Sequence, residues 1–257
     1  MEMDEQLQKK IERLDELISG SDNIVFFGGA GVSTESGVPD FRSQDGLYHQ
    51  QYAYPPEEIL SHTFYERNPK EFFRFYHDKI LAPGQAAKPN RAHLKLAQWT
   101  KEGRCRAIIT QNIDGLHQAA AREVGAAADN IYELHGSTLR NYCKRCGAFY
   151  DVQYMLKHSA DGEVPKCDKC GGQIKPDVVL YEEGLDMTTM ENAVRAISAA
   201  DVLIIGGTSL VVYPAAGLID YYRGSRLVLV NKSATSRDAQ ADLAISAPIG
   251  EVFSRLH

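Results

Sequence analysis

Short runs of uninterrupted apolar residues recur along this chain, each followed by glycine or small polar residues. Ile24-Val-Phe-Phe27, Ala107-Ile-Ile109, Asp201-Val-Leu-Ile-Ile205 and Arg226-Leu-Val-Leu-Val230 are of this kind. A run without alternation predicts a strand buried on both faces, as in a parallel sheet. Ile131-Tyr-Glu-Leu134, Lys175-Pro-Asp-Val-Val-Leu-Tyr181 and Asp242-Leu-Ala-Ile245 read as further strands. Between them the apolar period lengthens to that of a helix. Leu7, Ile11, Leu14 and Leu17/Ile18 share one helical face, and Gly20 is the expected stop. Phe64, Phe72, Phe73, Phe75, Tyr76 and Ile80 form a helical stripe over residues 63–82, with Pro83-Gly84 as its predicted end. Such an aromatic stripe suits a core face better than a substrate pocket. His93, Leu94, Leu96, Ala97 and Trp99 predict another helix, which feeds the strand at 105–110. Residues 43–62 are rich in Gln, Tyr, Pro and His with little periodicity, and are expected to form a lid loop that orders over a ligand. Strand then helix, repeated, implies a doubly wound, mostly parallel sheet.

In such sheets ligands bind at the carboxyl ends of the strands, and the polar residues gather there. Thr110-Gln-Asn-Ile-Asp-Gly-Leu-His117 carries too many polar groups after a buried run for packing alone. The turn after the first strand holds Gly28, Gly29, Ala30 and Gly31, where small residues let a pyrophosphate approach the backbone. Thr34 stands where the dinucleotide fingerprint has its third glycine, so a simple tight turn stays open as the alternative. Arg42 is placed to clamp a phosphate and Phe41 to cover a ring, with an ordinary loop ion pair as the other reading. Gly206-Gly-Thr-Ser-Leu210 and Asn231-Lys232 end two more strands with groups suited to ribose or phosphate. His135-Gly136 ends another, and a histidine at that place is a candidate base.

The cysteines change the picture most. Cys143-x-x-Cys146 and Cys167-x-x-Cys170 sit in glycine-bearing turns, a spacing that reads as a tetrahedral zinc site. Four thiolates leave no open position, so the zinc is expected to be structural. A redox dithiol is disfavoured because two pairs are present. Cys105 stands alone and reads as a small core residue. The 257 residues suit one large domain or one domain with a small insert. A net charge of −6 argues against a dedicated nucleic-acid binder. No apolar run is long enough for a transmembrane helix, and the charged first sixteen residues lack a signal core. A cytoplasmic, monomeric protein is the expectation.

Taken together, Gly29-Ala-Gly-Val-Ser33, Ser36-Gly-Val-Pro-Asp-Phe-Arg42, Thr110-Gln-Asn-Ile-Asp-Gly-Leu-His117, His135-Gly136, the four cysteines, Gly207-Thr-Ser-Leu210 and Val212-Tyr-Pro214 resemble the sirtuins. These are NAD-dependent protein lysine deacylases of the Sir2 type, and the chain is most similar to their compact bacterial or archaeal members. The resemblance implies a Rossmann-type large domain over 1–42, 88–138 and 177–257. It implies a helical insert and cofactor loop at 43–87 and a zinc module at 139–176. Gly29, Ala30, Gly31, Thr34, Phe41 and Arg42 would line NAD. Gln111 and Asn112 would hold the nicotinamide-side ribose, and Ile113 and Asp114 the carboxamide. Gly207, Thr208 and Ser209 would meet the phosphates or the adenosine ribose, Asn231 that ribose, and Ile249 or Gly250 the adenine. Val178, Val179, the Tyr181-Glu182-Glu183 stretch, Val211 and Val212 would pair with an acetyl-lysine peptide as an added strand.

The implied chemistry consumes NAD. Nicotinamide leaves, the acetyl oxygen takes its place on the ribose, and His135 removes a ribose hydroxyl proton. Asn112 and Asp114 orient the reacting groups, and lysine and acetylated ADP-ribose are released. Nicotinamide is then both product and inhibitor. Mono-ADP-ribosyl transfer and removal of longer or acidic acyl groups are the alternatives. The family often has Phe-Gly-Glu where this chain has Tyr181-Glu182-Glu183, which predicts a narrower or more acidic groove. Members that remove succinyl groups carry a Tyr and an Arg three residues apart. Here Tyr76 is followed by Lys79, and Leu60 is expected to fill the acyl pocket, so acetyl-lysine is the expected preference.

Overall fold

Each apolar run of the sequence becomes a strand of one six-stranded sheet. The computed structural model describes residues 2–40 and 54–256. Phe41, Arg42 and most of the expected lid therefore lie outside the described residues. The first helix, α1 (Glu2–Ser19), leads into β1 (Ile24–Gly28). Then come β2 (Cys105–Thr110), β3 (Ile131–Glu133), β7 (Val202–Gly206), β8 (Leu227–Asn231) and β9 (Leu243–Ser246). Their order across the sheet is β3-β2-β1-β7-β8-β9, and every pairing is parallel. The order in which strands are added reverses between β1 and β7, and a doubly wound sheet opens its ligand crevice at such a switch point. Side chains of β1 alternate between two cores: Ile24 and Phe26 face one, Val25 and Phe27 the other. That double burial is why these strands read as unbroken apolar runs.

The first core is covered by α1, by α6 (Arg91–Lys101) and by the short α10 (Ile249–Phe253); Trp99 and Phe253 meet within it at 5.5 Å. The second is covered by α9 (Met187–Ala199). Cys105 is buried in the first core, as its isolation predicted.

A third core belongs to a different part of the chain. The helices α2 (Pro56–Ile59), α3 (His62–Arg67) and α4 (Pro69–Tyr76) pack their aromatic stripe against a small antiparallel sheet. That sheet consists of β4 (Gly136–Cys143), β5 (Phe149–Asp151) and β6 (Ile174–Val178), in the order β5-β4-β6. The stripe is core: Phe72, Phe73 and Tyr76 are fully buried, and Tyr76 stacks on Phe72 at 5.6 Å. Helix also reaches further than expected at both ends. Residues 56–59 are already helical, and α4 runs through a π-helical turn at His77–Leu81 into α5 (Ala82–Ala86), past the expected stop at Pro83-Gly84. The wide turn restarts the register, so Pro83 falls in a first helical turn, where a missing N–H costs least.

Candidate functional site

The register of the parallel strands brings the polar residues together. Gly28 pairs with Thr110 on one side and Gly206 on the other, Thr110 with Glu133, and Gly206 with Val230. Gly29, Gln111, Leu134 and Gly207 therefore lie one step beyond their strands, level with Asn231, the last residue of β8. The turns after β1 and β7 pack directly on each other. Gly31 N–H donates to Gly207 O at 2.8 Å. A Cβ on Gly31 would sit 2.8 Å from the Gly207 Cα, and Gly207 itself has φ +61 with Val32 N only 2.4 Å from its absent Cβ. Side chains are excluded here by the backbone's own packing, and the outcome is a smooth backbone cradle at the switch point. Thr34 closes the first turn by donating to Gly31 O at 3.0 Å.

Gln111 Nε2 donates to Thr208 Oγ1 at 3.1 Å, and Asn231 Oδ1 accepts from Thr208 N–H at 2.9 Å. That second bond fixes the Asn231 amide. Its Nδ2 is then a buried donor with no partner among the described residues. An orphaned donor at a strand end suits a ligand hydroxyl, so the site fits the ribose of a dinucleotide. Ser209 lies exposed beside it. Ile249 is buried and packs towards Gly206 at the floor of the crevice, and Gly250 N–H donates to Glu35 Oε2 at 2.7 Å, tying α10 to the glycine turn.

His135 stands where the two sheets join. Its Nδ1 is 3.0 Å from Gln111 O. A carbonyl only accepts, so Nδ1 carries the proton and Nε2 presents a lone pair. Burial holds the imidazole pKa below its usual value, partly offset by that hydrogen bond. The ring is therefore neutral at pH 7. Gly136, at φ +75, has no room for a side chain, since an added Cβ would be 2.0 Å from Asp177 O. Beside it Arg140 bridges Glu133, at 2.7 Å, and Asp177, at 2.8 Å, holding the end of β3 against β6.

Asn112 and Asp114 turn inwards and meet Ser33, the last residue of the Gly29–Ser33 motif, for which the sequence suggested no role. Asn112 Nδ2 donates to Ser33 Oγ at 3.0 Å, and Ser33 O–H donates to Asp114 Oδ2 at 2.6 Å. Leu116 N–H donates to Asp114 Oδ1 at 2.9 Å, at the start of α7 (Leu116–Val124). Burial raises the Asp114 pKa, and the Ser33 hydroxyl opposes that rise by binding the charged form. Ile113 O accepts from both the backbone and the hydroxyl of Thr138. Two buried histidines lie behind this group, His93 on α6 and His117 on α7, with ring centroids 4.7 Å apart. The only sequence signal for His93 is its place three residues after Asn90, the spacing of a capping box.

On the other side of His135 runs the segment after β6. Val179 N–H donates to His135 O, and Tyr181 exchanges backbone bonds with residues 60 and 62. Val178 is buried, whereas Tyr181 and Val211 are exposed. Glu182 has φ +76, the conformation that favours glycine and a physical reason for the family's glycine there. Its carboxylate accepts from Thr63 N–H at 2.8 Å, capping α3. Glu183 binds His62 and Lys175. Both carboxylates are thus engaged by neighbouring side chains and backbone.

The four cysteine Sγ atoms lie within 4.8 Å of one another. Cys143 and Cys170 are 3.4 Å apart and Cys146 and Cys167 3.6 Å. A tetrahedron with zinc–sulfur bonds of about 2.3 Å has edges of roughly 3.8 Å, so the set fits one zinc ion with no position left for substrate. Arg145 N–H and the Tyr150 hydroxyl donate to two of the sulfurs, Cys143 and Cys167. Second-sphere donors of this kind orient metal ligands.

A model of the Sir2 family matches residues 29–214. The NAD-dependent protein deacetylase of Clostridium acetobutylicum is 56% identical over 249 residues, which cover 96% of this chain and 98% of that protein. That of Cutibacterium acnes is 47% identical over 245 residues, covering 95% and 96%. Among solved structures, Sir2 with a p53 peptide and NAD+ aligns with a TM-score of 0.81 at 37% identity, over 95% of this chain and 96% of that one. Sir2 bound to an acetylated peptide aligns with the same score at 36% identity and the same coverage.

Proposed function

Because the chain belongs to the Sir2 family, we propose that it removes acetyl groups from protein lysine side chains at the expense of NAD. The observation that carries this is the His135 tautomer, with Nδ1–H bound to Gln111 O and Nε2 open as a base. Simple binding of a dinucleotide needs no base, and hydride transfer needs no closed zinc site. When bound, NAD supplies a glycosidic bond to nicotinamide and an ADP-ribosyl group that accepts the acetyl.

The chain's own residues divide the work. The cradle of Gly29, Ala30, Gly31, Thr34 and Gly207 receives the pyrophosphate, with Thr208, Ser209 and the Asn231 Nδ2 donor on the adenosine side and Ile249 below. Phe41 and Arg42 belong to this set by motif alone. Gln111 and Asn112 orient the nicotinamide-side ribose, and Ile113 and Asp114 hold the carboxamide. His135 takes the ribose proton at Nε2. An extended acetylated peptide enters between residues 178–181 and 211–212, adding a strand beside Val178, Val179, Tyr181, Val211 and Val212. We assign the large domain to 1–42, 88–138 and 177–257, the insert to 43–87 and the zinc module to 139–176. The separation of the third core from the two that flank the large sheet supports that division. One chain supplies both walls of the cleft, which supports a monomer. Among the described residues no helix is long and apolar enough to cross a membrane. Four thiolates need a reducing compartment, which supports a cytoplasmic setting. The net charge of −6 speaks against specific nucleic-acid binding.

Tyr76 is fully buried against Phe72, and Leu60 is buried in the same core, which supports acetyl over succinyl substrates. Mass spectrometry of one peptide carrying either acyl group, with and without NAD, tests both points. Acetyl loss that requires NAD, with nicotinamide and acetyl-ADP-ribose formed together, is the expected result. Nicotinamide release with the acetyl group retained would point to ADP-ribosyl transfer, and faster succinyl loss would make Tyr76 and Lys79 a carboxylate clamp.

A further inference from the structure

The buried histidines behind Asp114 have no part in the chemistry above, yet one of them decides where a proton lies. Three polar atoms face Ser33 Oγ: Asp114 Oδ2 at 2.6 Å, Asn112 Nδ2 at 3.0 Å and His93 Nε2 at 3.4 Å. The hydroxyl has one proton to give. An amide nitrogen only donates, so the proton goes either to Asp114 or to His93. The tautomer of His93 settles the choice, and the backbone of α6 settles the tautomer. Asn90 N–H points at His93 Nδ1, 3.3 Å away, within the capping box of that helix. Nδ1 must therefore accept, and the ring proton sits on Nε2. His93 Nε2–H then donates to Ser33 Oγ, and the serine proton is left for Asp114.

The polarity runs one way, from the first turn of α6 through His93 and Ser33 to the carboxylate. With the opposite tautomer, Nε2 would compete for the serine proton and leave a buried carboxylate one donor short. Burial also keeps His93 uncharged, pushing its pKa down to about 4. His117, packed edge-on against it, is neutral for the same reason, and its ring nitrogens find no partner among the described residues. Protonated His93 would turn an N–H towards Asn90 N–H and break that half of the capping box.

We propose that His93 is a positioning residue that acts through Ser33 to orient Asp114, and so sets how tightly the site holds the nicotinamide carboxamide. This rests on the assignment of Asp114 to that carboxamide. Deacetylation measured against added nicotinamide tests it. His93→Leu, Ser33→Ala and Asp114→Asn should each weaken nicotinamide inhibition by about tenfold, the loss of one hydrogen bond to a charged group, with the peptide KM unmoved. His93→Gln keeps an amide donor near the place of Nε2 and should return inhibition to within about threefold of wild type. His93→Leu removes the acceptor of Asn90 N–H while Asn90 Oδ1 keeps its bonds from the Ala92 and residue-93 N–H groups, so a purely capping role would lower Tm in that variant and leave its nicotinamide inhibition at the wild-type level. That result would overturn the proposal. Adding His93→Leu to Ser33→Ala should weaken inhibition no further; an additional loss would mean that His93 acts by another path. Nitrogen NMR of the wild-type ring should show protonation at Nε2 alone, and a proton on Nδ1 would refute the relay whatever the kinetics. If Asp114→Asn leaves nicotinamide inhibition unchanged, the carboxamide assignment itself falls, and the proposal with it. If that variant weakens inhibition and His93→Leu does not, only the relay falls.

Discussion

The crevice at the carboxyl ends of the large sheet's strands and the four-cysteine knot bind their partners by opposite means. The knot takes its ligands from two tight turns, each supplying a pair of sulfurs three residues apart in sequence. The crevice takes its polar groups from five strands spread over about two hundred residues, brought level by the parallel register. The knot therefore depends on an ion for its shape, because the small sheet has only three strands and a core shared with helices from elsewhere. The crevice depends on packing that exists without any ligand. A site with a local ligand set is expected to be lost in one step with its metal, and a site built from register to lose individual functions one residue at a time.

Removing the metal tests the first half of that contrast and should have the largest effect. Binding free energy on the order of 10 kcal/mol is folding free energy in small zinc modules. Cys167→Ser should abolish deacetylation, bring bound zinc close to zero and open residues 139–176 to proteolysis while the six-stranded sheet stays intact. Fully active protein with no zinc would end the structural-metal account. The second half predicts a narrower loss for His135→Ala. Deacetylation should fall about 10²–10⁴-fold, the usual contribution of a general base, while calorimetry still shows NAD binding. Activity within a few-fold of wild type would mean that another group takes the proton.

The smallest effect concerns pH. His93 has a folded pKa of about 4 and His117 one well below the usual 6.5, both because burial disfavours the charged ring. The unfolded chain takes up these protons near pH 6.5 and the folded chain does not, so stability falls as pH drops below about 6.5. Above that pH the pair adds no slope. For His93 the loss approaches about 3 kcal/mol by pH 4, where its folded form begins to protonate. Urea midpoints between pH 8 and pH 4.5 measure it, and part of the slope should vanish in His93→Gln. An identical slope in that variant would show that carboxylates alone carry the acid sensitivity.

Much of this was legible in advance because burial on both faces leaves an unbroken apolar run, and a metal knot leaves its spacing. The strands β1, β2, β7 and β8, the two Cys-x-x-Cys pairs and the polar residues after each strand could all be read without coordinates. What escaped was contact between distant segments. Tyr142, Tyr150 and the other residues of β4 and β5 alternate over too few positions to announce a strand beside the cysteines. Pro83 marks a helix end locally, and a π-helical turn moves it to where proline is tolerated.

Ser33 and His93 lie sixty residues apart, and neither differs locally from an ordinary turn serine or helix histidine. The sequence by itself determined the doubly wound sheet, the zinc ligands and His135 as the candidate base, because periodicity, ligand spacing and motif order are read directly along the chain. Only the tertiary structure decided which nitrogen of His135 is free, which way the protons point around Ser33 and why Glu182 can replace a glycine. Those depend on the direction of single hydrogen bonds between segments that meet only in the folded protein.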